Sequence, residues 1–131
     1  MTPKVLVVDD NEVNREMLEW GLQGRATVHT LTDGSEVLSR VRELQPDLIF
    51  LDLMMPDVSG FDVLARLQSE APALLSRTHI ISALTDPQSR ARCEAFGVAG
   101  YIEKPLDLAL IEKLVAEAGD YKIRPDAAAA G

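Results

Sequence analysis

No stretch of this sequence approaches the roughly 20 consecutive apolar residues that a membrane-spanning helix requires, so no membrane association is expected. The N-terminal Met1-Thr2-Pro3-Lys4 runs directly into Val5-Leu6-Val7-Val8 without the charged and apolar regions of a secretion signal, and a cytoplasmic location is expected. There is one cysteine, Cys93, which excludes an intrachain disulfide. Nothing near it suggests a metal cluster, and it reads as a small buried or half-buried side chain. Basic residues are also scarce: 13 Lys and Arg stand against 21 Asp and Glu, for a net charge of −8. Phosphate contacts need clustered cations, so no direct nucleic-acid partner is expected. Internal repeats of roughly 20–50 residues are missing, which excludes a solenoid.

What is present suits one compact domain, since 131 residues of 47% apolar composition can bury a core. Short β-branched or Leu-rich runs alternate with segments of helical period, the pattern of a parallel sheet covered on both faces. Strands are predicted at Lys4–Val8, Thr27–Leu31, Leu48–Leu53, His79–Ala83 and Gly100–Glu103. The middle ones are apolar almost throughout, as doubly buried strands are. A first helix carries Val13, Met17, Leu18, Gly21 and Leu22 on one side and Glu16 and Glu19 on the other, with Trp20 packed at the edge. A second spans Gly34 to Leu44 after Asp33 as cap, and a third spans Phe61 to Gln68. Thr85-Asp86-Pro87 opens a polar fourth, which Gly97 ends. Asp107 caps a fifth, whose Leu110, Ile111, Leu114, Val115 and Ala118 recur at three- and four-residue spacing. Residues 1–119 form the expected domain, and 120–131 a C-terminal tail, linker start or expression remnant.

Functional groups in such sheets gather at the carboxyl ends of the strands. Asp9 and Asp10 follow the first strand, Asp52 ends the third, Ser82 the fourth, and Lys104 follows the fifth. With the second strand at an edge, these groups converge. Three carboxylates in one place repel one another unless a cation is shared. Mg²⁺ suits oxygen ligands and retains exchangeable positions. An ionised Asp52 can accept a phosphoryl group whose charge Mg²⁺ and Lys104 neutralise, and the Ser82 hydroxyl can bond a phosphoryl oxygen. Singly, each feature is commonplace as a cap or turn. Their joint occurrence at successive strand ends is not.

Val5-Leu6-Val7-Val8-Asp9-Asp10-Asn11, Leu48-Ile49-Phe50-Leu51-Asp52-Leu53-Met54-Met55-Pro56 with Gly60, Ile80-Ile81-Ser82-Ala83, and Tyr101-Ile102-Glu103-Lys104-Pro105 together resemble the response-regulator receiver family of two-component phosphorelay signalling, over about residues 4 to 118. The resemblance implies a flavodoxin-like (CheY-like) doubly wound fold: five parallel strands in the order 2-1-3-4-5, with five helices. It implies Asp52 as phosphoacceptor for a sensor histidine kinase or histidine phosphotransferase. It further implies Mg²⁺ (Mn²⁺ as substitute) held by Asp10, Asp52, the Met54 carbonyl and, through water, Asp9. Lys104 contacts the phosphoryl group, the Lys104-Pro105 bond is cis, and Ser82 and Tyr101 are the switch pair. Read without the resemblance, Tyr101 is an exposed strand aromatic.

Met54 and Leu84 occupy the positions that tune phosphoryl lifetime, and both are apolar, so slow self-dephosphorylation is expected. The chain is thus expected to be a signalling phosphoacceptor that catalyses its own phosphoryl transfer, not an enzyme acting on a separate substrate. A haloacid-dehalogenase-like phosphatase would need an Asp at position 54. A degenerate receiver that binds partners without phosphorylation is the alternative. No output segment is recognised, so a downstream protein or an attached output domain is expected to read the fourth helix, fifth strand and fifth helix. Arg90, Arg92, Glu94 and Tyr101 lie there. The first helix is the expected kinase-docking alternative, and the oligomeric state is monomer or phosphorylation-dependent dimer.

Overall fold

The computed structural model describes residues 2–55, 58–84 and 86–123, with side chains to Ala118. Five strands, β1 (Lys4–Val8), β2 (Thr27–Leu31), β3 (Leu48–Asp52), β4 (Thr78–Ser82) and β5 (Gly100–Glu103), form one parallel sheet in the order β2-β1-β3-β4-β5. Parallel neighbours cannot be joined by tight hairpins, so each crossover carries a helix. These are α1 (Glu12–Gly21), α2 (Val37–Leu44), α3 (Gly60–Glu70), α4 (Pro87–Ala95) and α5 (Leu108–Ile123). The sheet separates two cores. Leu6, Val8, Ile49, Leu51 and Ile80 pack with α2, α3 and Cys93 of α4, while Val5, Val7, Phe50, Ile81 and Ile102 pack with Leu18, Leu22, Ile111 and Val115. β3 and β4 are buried at every position, which is why they read as continuous apolar runs.

The differences from the predicted elements are physical. The third strand stops at Asp52 and the fourth runs from Thr78 to Ser82, each one residue short of its expected end. The predicted second helix begins as a 3₁₀ turn at Gly34–Glu36, where the Asp33 side chain accepts from the Ser35 amide. α3 starts one residue earlier than predicted, where Ser59 and Asp62 form a reciprocal capping box, and runs two residues further, to Glu70. A second 3₁₀ segment, Pro72–Arg77, was not predicted, since it lacks the period of an α-helix.

Val13 and Trp20 do not pack inward. They stand seven residues apart, hence on one stripe of α1, opposite Leu18 and Leu22, and are 65% and 83% exposed. Leu110 is likewise partly exposed. The expected boundary at residue 119 falls within α5, and residues 124–131 of the expected tail lie outside the described residues. No helix among the described residues is long and apolar enough to cross a membrane.

Two residues carry predictions about this framework. His79, on β4, sits with its ring 5.6 Å from that of Phe50 and is almost fully buried. Burial lowers its pKa below 6.5, and the charge of Glu117 only partly opposes this. Below pH 6.5 the unfolded chain takes up the proton before the folded chain does, so stability declines as pH falls toward the folded pKa. His79→Leu should flatten the pH dependence of urea unfolding in this range, and equal slopes in variant and parent would contradict the assignment.

Gly60 approaches β3 so closely that a Cβ would lie 2.6 Å from the Asp52 carbonyl oxygen and from the Leu53 Cα, both backbone atoms that cannot step aside. Gly60→Ala should destabilise by about 1–3 kcal/mol in urea unfolding. An unchanged midpoint would count against this account of the β3 terminus.

Candidate functional site

Register brings the predicted residues to one edge. Val8 pairs with Leu51, Asp52 with Ile81, and Ser82 with Glu103, so the residues after β1, β3, β4 and β5 leave the sheet at one level. There they border a cleft of ≈ 460 Å³ lined by Asp10, Asn11, Glu12, Val13, Asp52, Met54, Ala83 and Lys104. Asp9, Asp10 and Asp52 each offer a carboxylate oxygen, and these oxygens lie within 4.8 Å of one another. Asp9 and Asp52 are buried, whereas Asp10 faces solvent. The Lys104 ammonium stands 3.2 Å from Asp52 Oδ2 and 3.5 Å from Asp9 Oδ2. The Lys104-Pro105 peptide is cis.

Each carboxylate is held by its own local structure. Asp52 Oδ1 accepts from the Met54 amide at 3.1 Å, which turns the side chain across the strand end. Asp9 Oδ1 accepts from the Asn11 amide and Oδ2 from the Asn14 side-chain nitrogen, while Arg15 donates to the Asp9 carbonyl. Asn11 in turn caps α1 by accepting from the Asn14 amide. Asn14 and Arg15 were not singled out from the sequence. Their signal is their position on the first turn after an acidic pair, where side chains can fold back on the strand end.

Burial is the main influence on Asp52 and raises its pKa from 3.8 to about 6. The Met54 amide opposes this, the negative charge of Asp9 adds to it, and Lys104 opposes it again. One lysine therefore only partly offsets a crowded pair of carboxylates. An all-oxygen donor set with such uncompensated charge fits a hard divalent cation.

Ser82 is fully buried, and its Oγ accepts from the Leu84 amide at 3.0 Å. Tyr101 is half-buried against the α3/α4 side of the core, not exposed as its strand position alone suggested. Its hydroxyl donates to the Leu84 carbonyl at 2.8 Å, and the Arg90 guanidinium lies 5.7 Å from its ring centre. The same short segment thus touches both predicted switch residues. Arg92 of α4 packs over Phe61 of α3 at 4.0 Å. Met54 is 58% exposed at the cleft and Leu84 is partly exposed beside Ser82. Pro56 lies outside the described residues.

Residues 5–116 match the family model of the response regulator receiver domain. The chain is 37% identical over 108 residues to the DNA-binding response regulator MtrA of Mycolicibacterium smegmatis, a match covering 80% of this chain and 45% of that protein. It is 33% identical over 106 residues to the phosphate regulon transcriptional regulatory protein PhoB of Rhizobium meliloti, covering 80% and 47% respectively. Among solved structures, a response regulator receiver protein from Pseudomonas putida superposes with a TM-score of 0.81 at 31% identity, covering 89% of this chain and 98% of that one.

The chain spans about half the length of the curated relatives it matches. The expectation of no direct nucleic-acid partner is overturned by relatives whose names describe DNA-binding and transcriptional regulators. A net charge of −8 describes the surface of these 131 residues alone, and it excludes nothing about the other half of proteins of that kind.

Proposed function

We propose that this chain, which belongs to the response regulator receiver domain family, accepts a phosphoryl group on Asp52 from a histidine kinase or histidine phosphotransferase and passes the signal to an output that, as in the relatives named above, acts on DNA. The observation that carries the reading is the placement of Asp52. Its carboxylate is buried at the floor of the cleft, 3.2 Å from the Lys104 ammonium and beside two further carboxylates. Asp10, Asp52 and the Met54 carbonyl are the proposed protein ligands of one Mg²⁺ (or Mn²⁺), with Asp9 acting through water. When bound, such an ion supplies charge neutralisation to the carboxylates and the incoming phosphoryl oxygens.

The chain's own groups do the rest. Asp52 provides the nucleophilic oxygen, Met54 N–H orients it, and Lys104 offsets the negative charge of the transferring group. A Ser82 hydroxyl drawn toward that group would have to give up its bond from the Leu84 amide. Loss of that bond would release the Leu84 segment, whose carbonyl receives the Tyr101 hydroxyl, and so link the two switch residues. The signal would then reach the surface of α4, β5 and α5 in a cytoplasmic protein.

Incubation with acetyl phosphate should yield a chain heavier by one phosphoryl group when Mg²⁺ is present and none in excess chelator, as read by intact mass. Absence of the adduct with Mg²⁺ would leave a phosphorylation-independent binding module as the better reading.

The phosphoryl group should also persist. Neither the Met54 nor the Leu84 side chain carries a group that can orient or activate an attacking water. Replacing them together by Asn and Glu should shorten the adduct's half-life about tenfold, at the low end of general-base effects. A half-life that is unchanged or longer would contradict the assigned tuning role.

A further inference from the structure

Asp9 and Asp52 are both buried carboxylates of the acidic cluster, yet the chain holds them differently. Asp52 takes one donor on each oxygen, the Met54 amide on Oδ1 and the Lys104 ammonium on Oδ2. Asp9 takes the Asn11 amide on Oδ1 at 2.9 Å, and on Oδ2 both the Asn14 side-chain nitrogen at 3.1 Å and the Lys104 ammonium at 3.5 Å. A carboxylate oxygen offers two lone-pair positions, so Asp9 Oδ2 is filled while each oxygen of Asp52 keeps one. Asp10 and Asp52 border the cleft and Asp9 does not. Exposed Asn11 borders it too, but its side-chain oxygen is committed to the Asn14 amide as the cap of α1.

Asn14 is half-buried at the third position of α1, where Asn11 already supplies the cap and where asparagine is a poor helix former. Helix formation therefore does not explain its presence, and its bond to Asp9 does. An ionised carboxylate can only accept, so the amide nitrogen faces it.

We propose that Asn14 is a positioning residue that sets the ion selectivity of the acidic cluster: by filling Asp9 Oδ2 it withholds that carboxylate from direct metal contact and favours Mg²⁺ over Ca²⁺. The inference rests on the metal reading proposed above and deepens it. Mg²⁺ is held through one or two carboxylates and keeps several waters, whereas Ca²⁺ takes roughly six to eight oxygen ligands in flexible geometry. The number of carboxylates free to coordinate thus decides between the two ions. Asp10 and Asp52 supply two, and a released Asp9 would add the third from which Ca²⁺ gains.

The test determines dissociation constants for Mg²⁺ and Ca²⁺, each added alone, from the rise of the urea-unfolding midpoint with ion concentration, since an ion that binds the folded chain stabilises it. Asn14→Leu and Asn14→Ala, both better helix formers, should shift selectivity toward Ca²⁺ about tenfold, the low end of what the partners of metal ligands contribute to affinity. Asn14→Gln, which retains an amide donor, should keep the ratio of the two constants within about threefold of the parent value. A merely structural residue would change both affinities by the same factor. Equal changes in the Leu and Ala variants, up to loss of both ions, or a ratio that stays constant or moves toward Mg²⁺, would overturn the selectivity role and leave the metal reading of the parent chain standing. An unsubstituted chain that neither ion stabilises would overturn the metal reading and this inference with it.

Discussion

Asp52→Asn should abolish the phosphoryl adduct, with labelling reduced at least about a thousandfold under conditions that saturate the parent chain, because a carboxamide has no ionised oxygen to attack phosphorus. The substitution nearly preserves shape, so the strand end should remain in place. The Met54 amide can still donate to the side-chain oxygen that replaces Oδ1. Three neighbouring carboxylates also become two, which relieves repulsion in a site whose cation is a single lysine. In chelator the variant should therefore unfold at the same denaturant concentration as the parent or a higher one. Loss of labelling together with retained stability separates a missing nucleophile from a collapsed fold. Residual labelling near the parent level would mean that another carboxylate is the acceptor, and exposed Asp10 would be the first to examine.

Lys104→Ala should slow adduct formation by about 10²–10³-fold, the loss usual when a preorganised charge is removed from a site of charge transfer. Lys104 bridges Asp52 and Asp9 at 3.2 and 3.5 Å, so its loss leaves two buried carboxylates facing each other. The variant should also be less stable than the parent in chelator, and Mg²⁺ should recover most of that stability while leaving the slow transfer in place. Initial rates from an intact-mass time course, together with urea unfolding with and without Mg²⁺, separate the two effects. An unchanged transfer rate would show that the ammonium plays no part in the chemistry.

The sheet was legible because β1, β3 and β4 are buried on both faces, which forces uninterrupted apolar runs such as Leu48-Ile49-Phe50-Leu51. The acidic strand ends were legible for a related reason, since Asp52 and Ser82 interrupt those runs where nothing in the packing requires a polar group. Surface helices were harder to read. Val13 and Leu110 have the apolar character of core positions, yet α1 turns Val13 and Trp20 away from the sheet on a stripe opposite Leu18 and Leu22. Hydrophobicity marks what can be buried, and the helical phase decides what is. The supports of Asp9 were hidden because Asn14 and Arg15 act through bonds back to a strand end, a relation that periodicity does not express. The charge argument about nucleic acid failed for another reason: it concerned one surface, while the relatives are about twice as long.

The central claim is tested most directly by trapping the adduct where it forms. Treating the phosphorylated chain with borohydride reduces an aspartyl phosphate to homoserine, and peptide mass mapping then locates the altered residue. Homoserine at position 52, dependent on both donor and Mg²⁺, is the result expected here. Conversion at Asp9, Asp10 or elsewhere, or a phosphoryl group that resists borohydride and survives on a hydroxyl or histidine, would contradict it.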